Sequence, residues 1–370
     1  MRTHTLTSRS IEWLRFACAF LVVYLHAYGV PRIPGEPIVW SNGVYDSIQI
    51  LVSQGICTVA VPIFFLISGY LFFFSLEQWK WATYRDKLKR RLRSLVLPFL
   101  LWGGIAVVIF LGVAIYQGED PVKWLSDRGW CLTLWNNARF RFSGSKNLLG
   151  WTMYNTAMPL DYPLWFIREL IVLNLFAPLI HLWVRKTRAV GLGILFLLYI
   201  TDIWIPLEGF SAQGTFYYSL GACLSVNRKD LTVLARKWTV HAAILSVPLL
   251  AGALFTYNLY PFANDVLTRF FTLTGTVSVL AGTAAGLEKG WLRVHPLLSA
   301  SSFFVYAAHT LYFNAAARWL TGWVVPTTSE AGLTVSYLLI PLFTVVLVVA
   351  VYALLKRWVP KITALLTGGR

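Results

Sequence analysis

Apolar runs of about 20 residues recur along the whole chain, and this feature limits the fold more than any other. A helix of that length crosses a hydrocarbon core of roughly 30 Å, and one water-soluble core cannot bury so many such helices. The composition agrees, since 57% of the 370 residues are hydrophobic, only 13% are charged and the mean hydropathy is +0.62. We therefore predict an integral membrane protein.

The runs are predicted to be helices, because an open sheet edge in lipid leaves backbone groups unpaired and the alternation of barrel strands is absent. The fold class is then all-α, a polytopic bundle of about ten transmembrane helices that forms one domain over residues 1–370. The spans at 189–206 and 214–226 are short, and they are equally consistent with broken helices that line a cavity. The predicted spans are residues 11–31, 47–76, 94–116, 161–183, 189–206, 214–226, 239–257, 268–286, 298–318 and 334–356.

The basic residues predict the orientation of this bundle. Most of the 32 Lys and Arg residues lie at the two termini and in alternate gaps between the predicted spans. Because cytoplasmic loops carry an excess of Lys and Arg, both termini are predicted to be cytoplasmic, with 356–370 as a cytoplasmic tail. Residues 117–160 then form the largest outer loop. Its tryptophans are typical of an interfacial belt, or of a lid that stacks on sugar faces. They are Trp124, Trp130, Trp135 and Trp151.

An arginine and a histidine lie within the first predicted helix. Arg15 and His26 are separated by ten residues, and 11 steps of about 100° bring them to nearly the same face, roughly 16 Å apart along the axis. Glu12 precedes Arg15 by one turn, so its carboxylate is placed to orient the guanidinium. An intramembrane histidine can be a structural hydrogen-bonding residue. However, ionisable groups in a membrane usually mark functional cavities, and the face shared with Arg15 favours function for His26.

Two later helices carry further polar side chains. In the fourth, Arg168 and Glu169 are neighbours and need separate partners, so one of them is expected to reach the lipid headgroups and the other a cavity. We favour Glu169 for the cavity because it shares a helix face with Trp165. The ninth helix has a polar stripe at spacings of four and three, which interhelical hydrogen bonding explains almost as well as a functional site does. This stripe consists of Ser302, Tyr306 and His309.

Five segments follow one another in an informative order. The first is the Arg15 to His26 spacing, and the second is FFLISGYLF, from Phe64 to Phe72. The others are RRLRSLVLPFLLW from Arg90 to Trp102, PLWFIREL from Pro163 to Leu170, and SSFFVYAAH from Ser301 to His309. In this order they resemble the acyltransferase 3 family of bacterial membrane acyltransferases, and the resemblance extends from about residue 8 to residue 315.

The resemblance implies that an acyl group, most simply acetyl, moves from cytoplasmic acyl-coenzyme A to a hydroxyl of a cell-surface or lipid-linked glycan. The reaction would end at the outer face of the bacterial cytoplasmic (inner) membrane. Acyl-coenzyme A is then a donor substrate, and no permanently bound cofactor is expected. The four cysteines contain no CxxC pair, so no metal site is expected either.

A basic cluster between residues 77 and 93 independently supports a donor site on the cytoplasmic side. This stretch contains seven Lys and Arg residues and only two acidic residues, Glu77 and Asp86. Arginine forks match phosphate oxygens, so the cluster suits coenzyme A. Ordinary topology or contact with anionic lipid better explains any single residue of the cluster. For three residues directly at the helix mouth we expect coenzyme A binding: Arg90, Arg91 and Arg93.

The predicted mechanism makes His26 the general base, because an imidazole titrates near neutral pH and can take the proton of the acceptor hydroxyl. A transient acyl-histidine is the alternative. Arg15 would neutralise a phosphate or hold the pantetheine path. Hydrogen bonds to the reacting carbonyl are expected from Ser68, Tyr306 or His309. Trp165 and Ser302 are assigned with Ser68 to the donor site.

Two other classes of protein remain open at this point. A secondary transporter exporting a sugar or an acylated product also has intramembrane charges, but it predicts two matching halves, and the sequence offers no corresponding pair of interrupted helices. A glycosyltransferase using a lipid-linked sugar predicts a tight acidic pair in the first outer loop, where Glu36 and Asp46 are well separated. The expected partners are acyl-coenzyme A, the glycan acceptor and membrane lipids, and not nucleic acid. Composition does not distinguish a dimer interface from a lipid-facing helix.

Overall fold

The structure, a computed structural model, describes most of the chain. The described residues are 2–29, 43–74, 80–128, 134–136, 141–143, 155–205, 207–326 and 329–369. Much of the predicted outer loop lies outside them, including Trp130 and Trp151, and so does Glu36.

Helices make up nearly all of the described chain, as predicted. The α-helices are α1 (Arg2–Leu25), α2 (Val44–Gln49), α3 (Ala60–Phe73), α4 (Trp81–Arg91), α5 (Leu97–Tyr116), α6 (Pro121–Arg128), α7 (Trp165–Leu175), α8 (Ala177–Thr201), α9 (Ala212–Val226), α10 (Leu231–Lys237), α11 (Thr239–Thr256), α12 (Pro261–Glu288), α13 (Pro296–Ala308), α14 (Asn314–Val324), α15 (Glu330–Trp358) and α16 (Pro360–Thr367). Wider π-helical turns occur at Ile50–Gly55, Leu92–Val96 and His309–Phe313, and 3-10 turns at Ile56–Val59 and Tyr162–Leu164. Within the predicted outer loop, β1 (Arg141–Ser143) pairs with β2 (Asn155–Ala157) in antiparallel register.

Several helical segments have the length and composition of membrane spans. Among the described residues there are five, or six if the bent pair Tyr162–Leu175 and Ala177–Thr201 counts as one span. Each overlaps a predicted span, so a multi-pass membrane protein is supported. The total of ten and the side on which the termini lie stay predictions. The five are Val44–Phe73, Trp81–Tyr116, Thr239–Thr256, Pro261–Glu288 and Glu330–Trp358.

The predicted span 161–183 is bent, which corrects the expectation of one helix there. The axis turns by 67° between α7 and α8. Pro178, in the first turn of α8, has no N–H to donate, and its ring disfavours helical backbone immediately before it. The carbonyls released at the end of α7 still have a partner, because the Tyr84 hydroxyl donates to the Leu175 carbonyl at 2.9 Å. The bend is therefore built into the sequence and satisfied by a side chain.

The predicted span 298–318 is also interrupted. α13 ends at Ala308, and the π-helical turn His309–Phe313 separates it from α14. Tyr312 in this turn has a φ of 64°, in the left-handed region that a side chain rarely adopts. A second such residue is Arg188, with φ 48° inside α8, at the end of the predicted gap between the spans 161–183 and 189–206. The turn at Tyr312 interrupts what hydropathy alone presents as continuous apolar sequence.

The chain divides into two compact units. The first consists of Met1–Phe64 and Asp230–Pro360, and the second of Phe65–Lys229 and Lys361–Arg370. In the first unit, α1 packs against α10, α12, α13 and α15. Its residues Leu14, Ala19 and Val23 are completely buried. A helix that is covered on several sides can hold its polar residues only where partners exist for them.

The beginning of α1 is held by one carboxylate of the same unit. The buried Thr7 hydroxyl lies 2.9 and 2.8 Å from the two carboxylate oxygens of Asp230. Asp230 also caps α10, accepting the N–H groups of Thr232 and Val233. Burial alone would raise the pKa of the Asp230 carboxyl, but the hydrogen bonds from Thr232, Val233 and Thr7 hold it below its ordinary value. This anchor is thus charged and intact at neutral pH.

In the second unit, α3 and α9 cross at two glycines. A Cβ on Gly69 would lie 2.1 Å from the Tyr218 carbonyl oxygen, and a Cβ on Gly221 would lie 2.1 Å from the Leu66 carbonyl oxygen. Both clashes are with backbone, which cannot rotate away. Small residues of this kind allow membrane helices to approach closely, because van der Waals packing drives their association in lipid.

We predict that Gly221→Ala lowers the stability of the protein by about 1–3 kcal/mol, the cost of overpacking a tight contact. The measurement is the midpoint of thermal unfolding of the purified protein in detergent. The loss of the monodisperse peak in size-exclusion chromatography after heating reports it. Gly112→Ala in α5 is the matched control, since nothing lies within 4 Å of the Cβ it would carry. Equal midpoints for the two variants would contradict a glycine-dependent crossing.

Candidate functional site: a histidine pair

The predicted stripe of Arg15 and His26 lies on one helix. α1 ends at Leu25, but the N–H of His26 still donates to the Val22 carbonyl at 3.1 Å, so the helical path continues through His26. The helical geometry used to place both side chains on one face therefore applies.

His26 and His309 are joined by a hydrogen bond. The Nδ1 atom of His26 lies 2.9 Å from the Nε2 atom of His309. The two ring planes differ by 4°, and their centroids are 5.1 Å apart. Parallel rings with so short an N···N distance meet edge to edge, since face-to-face stacking would not bring two nitrogens to hydrogen-bond distance at this centroid separation. His309 is completely buried, and His26 is partly buried.

The partners of His309 determine where the protons of the neutral pair lie. Its Nδ1 atom is 2.8 Å from the Tyr306 carbonyl oxygen and 3.2 Å from that of Val305. A carbonyl oxygen can only accept, so Nδ1 of His309 carries the proton and its Nε2 is the acceptor. His26 must then donate from Nδ1. The Nε2 atom of His26 consequently carries the lone pair, which makes it the basic atom of the pair.

Neighbouring segments fix the end of α1 that carries His26. The Ser53 hydroxyl lies 2.5 Å from the Tyr24 carbonyl and 2.6 Å from the Tyr337 hydroxyl. Ser53 has one proton and gives it to the carbonyl, so Tyr337 donates to Ser53. Just beyond His26, the N–H of Gly29 donates to the Gln49 side chain at 3.3 Å. Sequence reasoning missed these supporting residues. Their signal was a polar side chain inside an otherwise apolar run.

The other residues of the ninth-helix stripe are buried in α13. Ser302 donates to the Ser299 carbonyl of its own helix at 2.9 Å. The Tyr306 ring packs edge to face against Phe64, with a centroid distance of 6.3 Å. His309 was predicted to donate to the reacting carbonyl, but both of its nitrogens have protein partners. In this arrangement His309 contacts His26, and its predicted role at the reacting carbonyl stays a prediction.

Arg168 and Glu169 are both buried, which corrects the expectation that one of them reaches the headgroups. Arg168 is 1% exposed. It donates to the carbonyls of Trp135 at 2.8 Å and Ala157 at 2.9 Å, and so fastens two segments of the predicted outer loop to α7. Glu169 accepts from the Ser211 hydroxyl at 2.6 Å. Neither side chain is a snorkelling anchor. Arg168 holds loop carbonyls, and the carboxylate of Glu169 reaches from α7 to Ser211 at the start of α9.

The basic cluster of the second unit contains two kinds of residue. Lys87 and Arg91 pack over the Phe72 ring at 5.7 and 5.8 Å, and Lys87 donates to the Phe72 carbonyl at 2.5 Å. Arg90 and Arg93 are exposed. Arg91 thus contributes to the packing of α4 on α3, whereas Arg90 and Arg93 present their guanidinium groups outward. Lys87 caps the last carbonyls of α3.

The outer-loop tryptophans that the structure describes are already in contact with protein groups. Trp124 is 4% exposed, and the Arg128 guanidinium lies 4.0 Å from the centre of its ring. Trp135 packs against Phe99 at a centroid distance of 5.8 Å. The face of Trp124 is therefore covered by Arg128, so this indole fits neither a lipid-facing belt nor a platform for sugar.

The predicted site residues are distributed over both units. Glu12, Arg15, His26, Ser302, Tyr306 and His309 belong to the first unit, and Ser68, Arg90, Arg91, Arg93, Trp165 and Glu169 to the second. Within the first unit, the structure brings His26 and His309 into direct contact. The predicted pairing of Glu12 with Arg15 stays a prediction.

We predict that His26 is protonated at Nδ1 in the neutral protein and that His309→Ala shifts it toward the Nε2–H form, because the acceptor for Nδ1–H is lost. Solid-state NMR of ¹⁵N-histidine-labelled protein measures the two forms. The chain has only six histidines, and His26→Ala assigns the signal. The exposed His241 provides the control, since His241→Ala should leave the His26 signal unchanged. Wild-type His26 without a proton on Nδ1 would contradict the assignment.

A family model described as an acyltransferase domain matches residues 8–356, so the chain belongs to this acyltransferase family. The predicted family is confirmed, and the protein is an acyl-transferring membrane enzyme by family. The chain is 25% identical to the succinoglycan biosynthesis protein ExoH of Rhizobium meliloti (strain 1021), over 98% of this chain and 92% of that relative. No solved structure matches it.

Proposed function

We propose that the protein transfers an acyl group, acetyl in the simplest case, from cytoplasmic acyl-coenzyme A to a hydroxyl of a cell-surface or lipid-linked glycan at the outer face of the bacterial inner membrane. The family supports acyl transfer, and the named role of the relative in succinoglycan biosynthesis supports a glycan acceptor. The observation that carries the proposal is the histidine pair, because it presents one basic nitrogen in a fixed tautomer.

In the proposed reaction the acceptor hydroxyl gives its proton to Nε2 of His26 while its oxygen attacks the thioester carbonyl. Collapse of the tetrahedral intermediate breaks the C–S bond, and the imidazolium returns the proton to the leaving thiolate. Atoms and charge balance, since an ester and free coenzyme A are formed. His309 keeps Nδ1–H of His26 directed toward it throughout, which stabilises the imidazolium and preserves the orientation of Nε2.

Arg15 is assigned to the donor, because a guanidinium on the same helix face as His26 can neutralise a phosphate or hold the pantetheine arm. Glu12 would orient this guanidinium from one turn away. Tyr306 remains a proposed hydrogen-bond donor to the carbonyl. Ser68, Trp165, Glu169 and Ser302 stay candidates that rest on the sequence alone. Arg90 and Arg93 would bind the coenzyme A phosphates on the cytoplasmic side.

We predict that His26→Ala and Arg15→Ala each lower acyl transfer by at least about 100-fold, the usual contribution of a general base or of an oriented charge. Release of free coenzyme A from acetyl-coenzyme A, with candidate glycans as acceptors, measures the rate. His241→Ala serves as the control. Activity at the wild-type level in folded His26→Ala would refute the general-base assignment.

The same variants distinguish direct transfer from an acyl-histidine intermediate. Protein incubated with acetyl-coenzyme A and no acceptor should show no acetyl adduct on His26 by intact-mass or peptide mass spectrometry if transfer is direct. An adduct that is absent from His26→Ala would establish the covalent route. In either case the residue is the same, and only its role changes.

We predict that the exposed arginines contribute to donor affinity. The double charge reversal Arg90→Glu and Arg93→Glu should weaken coenzyme A binding by about tenfold or more, since each bond to a phosphate is charge-assisted. Calorimetry on the purified protein measures the affinity. Arg85→Glu with Lys89→Glu is the control, because both residues are exposed on α4 and the change in net charge is equal. Unchanged affinity after the Arg90 and Arg93 reversal would assign the cluster to topology, and equal weakening in the two double variants would reduce its contribution to net charge. Arg91 is left intact because it packs on Phe72.

A further inference from the structure

A cavity of about 510 Å³ runs along the first unit between α1, α12 and the beginning of α13. On α1 it is lined by residues from Glu12 to Leu21, but not by Arg15, and His26 lies beyond it. The cavity thus excludes Arg15 and His26, and it shares with the proposed catalytic residues only Glu12, which would orient Arg15. Its size falls within the range of about 300 to 1,000 Å³ that is usual for ligand pockets.

The cavity has one polar end and one apolar end. α1 and α13 meet at His26 and His309, so equal steps back along both helices place the first turn of α13 beside the level of Trp13. Glu12 lies at this end, and so do Arg293, His295 and Ser299. Farther along, the lining is apolar, with Ala17, Phe20, Leu21 and Val279. The cavity thus has a polar end that suits a charged group and an apolar end that suits a hydrocarbon chain.

We propose that this cavity binds a phosphatidylethanolamine molecule, with one acyl chain along α1 and the headgroup at Arg293 and Glu12. An acyl chain gains no hydrophobic free energy by leaving the bilayer for an apolar groove, because lipid tails are as apolar as the groove itself. Stable binding of a lipid in this cavity therefore depends on its headgroup. The polar end carries both signs of charge, and the ligand must match both.

The headgroup chemistry follows from those two charges. The Arg293 guanidinium, with His295 and Ser299, suits a phosphate, to which hydrogen bonds are charge-assisted. The Glu12 carboxylate accepts N–H donors, which a primary ammonium supplies and the quaternary ammonium of choline lacks. Phosphatidylglycerol offers phosphate but no cation. A carboxylate accepts up to about four hydrogen bonds, so Glu12 can orient Arg15 and still bind the ammonium.

The test is lipid retention by the whole protein. Purified protein receives equimolar phosphatidylethanolamine, phosphatidylglycerol and phosphatidylcholine with identical chains, and native mass spectrometry counts the lipids that remain bound. We expect phosphatidylethanolamine to be retained roughly tenfold over each of the others, which is about 1.4 kcal/mol and the size of one hydrogen bond to a charged group. Arg293→Ala, at an exposed loop residue, should abolish retention of all three at this site, and Glu12→Gln should remove the preference over phosphatidylglycerol.

A second measurement locates the chain. Phosphatidylethanolamine with a diazirine on its acyl chain should cross-link to peptides that contain Leu21 or Val279, and Ala17→Trp should suppress this by filling the groove. Val346→Trp on the exposed side of α15 is the control for general lipid contact. Equal retention of the three lipids in the wild-type protein, or cross-links that Ala17→Trp leaves unchanged, would overturn the proposal. Neither readout depends on acyl transfer, so its outcome is separate from that of the proposed function.

Discussion

The hydrogen bonds from Nδ1 of His309 to the carbonyls of its own helix are the interaction on which the proposed site depends. They place a proton on Nδ1 of His309, so Nε2 of His309 accepts a hydrogen bond. Nδ1 of His26 then donates to it, and Nε2 of His26 is the basic atom. A carboxylate usually orients a catalytic histidine. In a low-dielectric interior a neutral imidazole does the same without the cost of burying another charge.

The helical irregularities make this arrangement possible. The π-helical turn begins at His309, where the backbone widens, and the carbonyls of Val305 and Tyr306 accept from a side chain. A second π-helical turn, Ile50–Gly55, contains Ser53, which holds the last turn of α1. Two departures from regular helix thus contact the end of α1, one at His26 and one at the Tyr24 carbonyl. Membrane helices tolerate such breaks where neighbouring groups satisfy the backbone, as Ser53 does here for the Tyr24 carbonyl.

Much of this was readable from the sequence, and the rest depends on tertiary contacts. Hydropathy located the long apolar helices, and helical periodicity placed Arg15 and His26 on one face. Periodicity also placed His309 on a polar stripe of α13, but it does not indicate which helix packs against that stripe. The contact between His26 and His309 is a property of how α1 and α13 pack. The bend after α7 followed from Pro178 and was missed because apolar composition continues through it. Arg168 was expected to reach the lipid headgroups, since composition does not reveal that loop carbonyls accept its hydrogen bonds.

The backbone carbonyls beyond His309 also determine where a proton can travel. A proton taken up at His26 can be shared with His309, but the next groups along the path are amide carbonyls, which are far too weakly basic to be protonated near neutral pH. Protons are therefore not conducted onward through His309. In the proposed transfer, the proton that His26 takes from the acceptor therefore does not continue past His309 and is returned to the leaving thiolate.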